Sequence, residues 1–148
     1  MDIMEETKFW ERLPHAYPFR MMDRVLEVVP GKRATVLKNV SGDEPFLHGH
    51  ASGEPVLPAV VLLEAMAQTG GLAFLTASGL QEGGPPFLAG VDEFRMKKKV
   101  IPGDQVILEA TVDRIFSNLA MVRVVARVDN EIAAEGRLVL AIGSAVDG

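Results

Sequence analysis

The chain has no cysteine in 148 residues. That excludes disulfides, thiolate metal sites and a cysteine nucleophile, and it fits a reducing compartment. An excess of positive charge is also missing. Lys and Arg total 15 against 20 Asp and Glu, a net charge of −5, the reverse of a nucleic-acid binder's balance. The opening MDIMEETKFWERL is acidic and has no apolar stretch, so it does not read as a secretory signal, and the expected address is the cytoplasm. Neither G-x-x-x-x-G-K-S/T nor G-x-G-x-x-G occurs, which removes the common phosphate loops; G-x-S-x-G is absent too, which argues against a serine hydrolase. Charge is scarcest between Pro55 and Gln81, where Glu64 stands alone.

What is present is a chain with 48% hydrophobic residues, enough for a real core in a single domain spanning 1–148. Val56 to Leu80 is long and greasy enough to need testing as a membrane span. Pro58, Glu64, Gln68, Thr69, Gly70 and Gly71 interrupt it and no aromatic or basic anchors flank it, so a buried central helix is expected instead. That helix should begin at Pro58, whose ring suits a first helical position, and run to about Ser78 with Gly79 as a left-handed cap. A short helix is expected over Thr7–Leu13, and strands over Arg20–Val29 and Arg33–Val40 around a Pro30-Gly31 turn. Pro45 to Gly53 reads as a loop. Further strands are expected at Phe87–Phe94 and Lys97–Val100, the latter ended by a type II turn at Pro102-Gly103-Asp104. Alternation at Val106, Leu108, Ala110 and Val112, with turns at Ser117-Asn118 and Asp129-Asn130, predicts antiparallel hairpins returning over Leu119–Val128 and Glu131–Ile142. The class is α+β: a curved antiparallel sheet wrapped around a long central α-helix.

Glu64 carries the chemical interest. A solitary carboxyl in an apolar helix must find a partner or shift its pKa. Raised by desolvation, it can hold a proton near neutral pH and donate it, as a general acid does. His50, fourteen positions upstream in a Gly-rich turn, is the natural base to pair with it. The bland alternatives are a structural buried acid and a turn histidine. His48-Gly49-His50 has the i, i+2 spacing of a metal pair on a strand, but a third ligand would have to come from His15 or Asp43, and no metal site is expected. Gln68, one turn beyond Glu64, reads as a satisfied buried amide. Arg95, Lys97, Lys98 and Lys99 form a basic cluster, read equally as a solvated strand face or a docking site for an acidic partner.

The stretch GHASGEPVLPAVVLLEAMAQ resembles the core motif of the β-hydroxyacyl-[acyl carrier protein] dehydratases, the FabA/FabZ-type branch of the hotdog-fold proteins. LPHAYPFRMMDRVLEVVPGK, LKNVSGDEPFLHGH, FLAGVDEFRMKKKVIPGD and AAEGRLVLA look like family segments in the same order, so the resemblance covers nearly the whole chain. It implies a hotdog fold, homodimers and trimers of dimers. It also implies a cofactor-free dehydration of a 3-hydroxyacyl thioester to a trans-2-enoyl thioester. The catalytic pair would be His50 from one subunit and Glu64 from the other. Backbone N–H groups at the helix start, Ala59 and Val60, would hold the thioester oxygen. Val60, Val61 and Leu63 would line an acyl tunnel, and Arg95 with Lys97, Lys98 and Lys99 would dock the acyl carrier protein. The chain departs from the family's GHFPG and MPG patterns at Ala51, Ser52 and Ala59 while keeping the dyad. A hotdog thioesterase and a non-catalytic acyl-chain binding subunit are the competing readings.

Overall fold

Apolar–polar alternation and tight turns dictate most of this molecule. The computed structural model describes residues 2–13, 19–47, 54–77 and 86–143. In chain order the elements are α1 (Ile3–Trp10), β1 (Arg24–Val29), β2 (Arg33–Asn39), a 3-10 turn (Pro45–Leu47), α2 (Ala59–Leu75), β3 (Pro86–Met96), β4 (Gln105–Phe116), β5 (Leu119–Val128) and β6 (Glu131–Ile142). The strands form one antiparallel sheet in the order β1-β2-β4-β5-β6-β3, so β1 and β3 are its edges. This is the α+β architecture expected, with α2 lying across the inner faces of β2, β4 and β5.

Register explains how the sheet meets the helix. Ala34 pairs with Ala110, Val36 with Leu108, Leu108 with Ala126, and Val122 with Leu138. All are buried, because alternate residues of a strand share one face. The facing helix is apolar on every side. Leu62, Met66, Leu72 and Phe74 are completely enclosed, each contributing roughly 1.5–3 kcal/mol by leaving water. A Cβ at Gly70 would come within 3.0 Å of the Leu140 Cδ1 and 3.3 Å of the Val122 Cγ1, so this glycine lets the helix approach β5 and β6 closely.

Turn chemistry fixes the hairpins. Asp129 and Asn130 both have positive φ, 51° and 65°, the geometry that matches the twist of a two-residue hairpin. The Pro102-Gly103 turn closes with the Asp104 N–H donating to the Ile101 carbonyl at 3.1 Å, and Gly103 takes φ 95°.

Several boundaries differ from expectation. The first helix begins at Ile3, not Thr7, because the Asp2 carboxylate accepts from the Glu5 N–H at 2.8 Å and caps it. The first strand begins at Arg24 rather than Arg20. Lys97–Val100 is not a strand: β3 continues to Met96, and the Lys97 and Lys98 N–H groups both turn to the Ala133 carbonyl. Pro58 is the N-cap of α2 rather than its first residue, and the helix ends at Leu75 with Thr76 as a right-handed cap whose hydroxyl donates back to the Leu72 carbonyl. The expected cap at Gly79 lies outside the described residues. α2 has 17 residues, and no described helix is long and apolar enough to cross a membrane.

Candidate active site

The start of α2 is set by backbone contacts on the preceding strand-like segment. The Leu57 N–H donates to the Val100 carbonyl at 2.8 Å, and Pro58 (φ −59°, ψ 141°) then turns the chain into the helix. The first N–H groups of a helix have no intrahelical acceptor. Here they belong to Ala59 and Val60, both exposed, Val60 at 70%.

Glu64 follows on the second turn and is half-buried. Its Oε1 accepts from the Gln68 Nε2 at 3.2 Å, one turn along the helix. Gln68 is 1% exposed and fully engaged: Nε2 also donates to the Phe19 carbonyl at 2.6 Å, and Oε1 accepts from the Met21 N–H at 3.0 Å. Both amide hydrogens and the amide oxygen are therefore assigned, which fixes the orientation of the group. The amide is satisfied, as the sequence suggested. It also donates to the carboxylate, the contact that its position one turn beyond Glu64 allows.

Glu64 and Gln68 supply the polar side of a narrow cleft of about 50 Å³, walled by Leu13, Gly71, Phe87, Leu88 and Leu140. One wall is β3, an open edge of the sheet, where Leu88 and Val91 are exposed at 36% and 46%. A carboxyl group set into apolar walls beside a fixed amide is suited to proton transfer.

The other expected site residues are distributed differently. Val60, Val61 and Leu63 do not line this cleft. Val61 is buried in the core at 6%, Leu63 packs half-buried against it, and Val60 points to solvent. Lys97, Lys98 and Lys99 are each paired, with Glu135 (2.8 Å), Glu131 (3.4 Å) and Glu54 (2.8 Å) respectively. Lys97 holds the Glu135 carboxyl below the usual carboxylate range, chiefly by its hydrogen bond and then by its charge. Arg95 stands on the outer face beside Arg123, Arg137 and Glu135. His50, His48 and His15 lie outside the described residues, so the expected meeting of His50 with Glu64 does too.

An antiparallel sheet curled around one apolar helix, with a single acid at a cleft on its edge, defines a hotdog-type protein. Residues 13–142 match the FabA-like domain, and the chain belongs to that family. It is 44% identical over 135 residues to the 3-hydroxyacyl-[acyl-carrier-protein] dehydratase FabZ of Caldicellulosiruptor bescii, covering 91% of this chain and 96% of that one. The FabZ of Klebsiella pneumoniae is 46% identical over 132 residues, 88% and 87% of the two chains. Among solved structures, the dehydratase heterocomplex ApeI:P from Xenorhabdus doucetiae superposes with a TM-score of 0.75 at 19% identity, covering 93% of this chain and 91% of that one. The E. coli PaaI protein from the phenylacetic acid degradation operon superposes with a TM-score of 0.61 at 12% identity, covering 79% and 80%. At those identities the two structures share the fold.

Proposed function

We infer that this chain is a 3-hydroxyacyl-[acyl carrier protein] dehydratase, acting in fatty acid or related acyl-chain synthesis. The observation that carries the reading is Glu64: one carboxyl, aimed by a fixed amide into an apolar cleft, in a chain 44% identical to a FabZ dehydratase over nearly its whole length.

The chemistry follows from the groups. His50 takes the proton from the carbon α to the thioester carbonyl, and the electron pair moves to form the α–β double bond. Glu64 gives its proton to the departing β-hydroxyl, which leaves as water, and the proton on His50 returns to the acid to close the cycle. Charge gathers on the thioester oxygen during this step. The free N–H groups of Ala59 and Val60 and the positive end of α2 are suited to hold it. A second copy of the chain set against the β3 edge would cover Leu88 and Val91, enlarge the narrow cleft into an acyl tunnel and bring its own His50 to Glu64. A homodimer is the assembly this reading requires, and a trimer of dimers is compatible with it. Arg95 is the cation of the basic cluster with no ion pair among the described residues, and it is where an acidic acyl carrier protein would first be attracted.

The test is absorbance of the enoyl thioester formed from 3-hydroxyacyl thioesters on carrier protein or CoA. Glu64→Gln and His50→Ala should each lose about 10²–10⁴-fold in kcat while melting near the wild-type temperature. No wild-type turnover in either direction, over several chain lengths, would refute the reading. Free thiol released without enoyl product would mark a thioesterase instead.

A further inference from the structure

Two adjacent glycines, Gly70 and Gly71, stand inside α2, where alanine would make the more stable helix. Packing against the sheet accounts for the first, since a Cβ at Gly70 would press on Leu140 and Val122. It does not account for the second. Among the described residues outside its own helix, a Cβ at Gly71 would meet one atom within 4 Å, the Leu13 Cδ2 at 3.1 Å, the far end of a flexible side chain. Gly71 borders the cleft that holds Glu64.

That cleft follows one side of α2. Glu64, Ala67, Gln68 and Gly71 recur at the spacing of a single helix face, and all of them line it. At 1.5 Å per residue, Gly71 lies about 10 Å along the axis from the acid. The opposite wall is apolar, with Leu88 and Leu140 paired across β3 and β6. Leu13 closes the end at Gly71. It is 7% exposed, and its N–H donates to the Trp10 carbonyl at 3.3 Å. The neighbouring Arg12 guanidinium donates to the Leu75 carbonyl, which ties this corner to the last turn of α2. The cleft therefore has its polar groups toward one end and apolar surface beyond them, a layout that suits a reacting head with an apolar tail. Its volume, about 50 Å³, is less than the roughly 60 Å³ that two waters occupy in the liquid, so a single methyl group matters there.

We propose that Gly71 and Leu13 set the chain-length limit of the acyl substrate. The missing side chain of Gly71 leaves the space that the tail enters, and Leu13 is the stop against which it ends. The substrates are 3-hydroxyacyl thioesters whose tail beyond the β-carbon fits between Glu64 and Leu13. The proposal rests on the reading above, in which Glu64 protonates the departing β-hydroxyl. It is tested by comparing kcat/KM for four-, eight- and sixteen-carbon 3-hydroxyacyl thioesters in the full-length wild type, Gly71→Ala and Leu13→Ala. The wild type should prefer eight carbons to sixteen. Gly71→Ala should lower the eight-carbon to four-carbon ratio about tenfold or more, the worth of one methyl group in an apolar pocket, while melting at or above the wild-type temperature. Leu13→Ala should raise the sixteen-carbon to eight-carbon ratio by a similar factor; if it does not fold, Leu13→Val should shift that ratio the same way by less. A wild type that uses sixteen carbons as well as eight overturns the proposal. So does a Gly71→Ala profile that matches wild type, whether or not the melting temperature moves. In both cases the dehydratase reading stands. A wild type that forms no enoyl product from any length defeats that reading and this proposal together.

Discussion

Replacing Gln68 by methionine should separate the two tasks that this amide performs. Methionine matches its length and removes only its polar atoms. The Met21 N–H then loses its acceptor in a buried place, a cost of about 1–3 kcal/mol. The Phe19 carbonyl also loses a donor, but Phe19 is 60% exposed and water can replace the bond, so this loss is about 0.5–1 kcal/mol. Together they give roughly 2–4 kcal/mol, which for a chain of this size lowers the melting temperature by roughly 5–15 °C. The Glu64 carboxylate meanwhile loses the donor at 3.2 Å that sets its orientation, and kcat should fall about tenfold to a hundredfold. Calorimetry at a single protein concentration, so that any assembly contributes equally, and enoyl formation by absorbance measure the two effects. Gln68→Glu is the control: it keeps an acceptor for Met21 but sets a like charge one turn from Glu64, so it should spare less activity than stability. The reasoning is refuted if Gln68→Met melts within 2 °C of wild type and turns over at the wild-type rate.

Two further outcomes follow from the turns and the surface. Gly103→Ala should destabilise by about 1–2 kcal/mol in denaturant titration, because the residue sits at φ 95° with nothing within 4 Å of the new Cβ, leaving backbone strain as the whole effect; an unchanged midpoint would contradict the turn assignment. Lys97→Met should move the titration of Glu135 upward, toward the ordinary carboxylate range, as followed by NMR of its side-chain carbonyl. Since the folded-state pKa is depressed, the ion pair favours the folded chain above the unfolded carboxylate pKa, and that contribution is lost as pH falls through the folded value. An unmoved titration would mean that Lys97 is not the partner that matters.

The hairpins from β4 onward were legible because two independent signals agree there. Period-2 alternation assigns the buried face, and Ser117, Asp129 and Asn130 mark turns where the backbone must take positive φ. Expected and observed ranges of β5 and β6 coincide. Elsewhere a single local cue competed with a longer-range contact. The run of three lysines after Met96 has good reach for a strand, but the Ala133 carbonyl captures two successive N–H groups and ends the ladder. Similarly, Pro58 is compatible with either the cap or the first position of a helix. The Leu57 bond to Val100, 43 positions away, decides for the cap.

The site divides along the same line. Glu64 could be found by subtraction, as the one charge in a run that is otherwise uncharged. Gln68 could be placed beside it by i, i+4 spacing, but its other partners could not, because no local pattern tells which distant backbone groups an amide will reach; Gln68 takes the Phe19 carbonyl and the Met21 N–H from the connector before β1. The helix residues expected to line a tunnel show a related limit. The first turn of this helix is uniformly apolar, so Val60, Val61 and Leu63 were indistinguishable until the sheet supplied a direction. That direction places the enclosed side against β2, β4 and β5 and leaves Glu64 facing the open β3 edge. The packing that buries Leu62 and Met66 is therefore what turns the lone acid toward the cleft at the β3 edge.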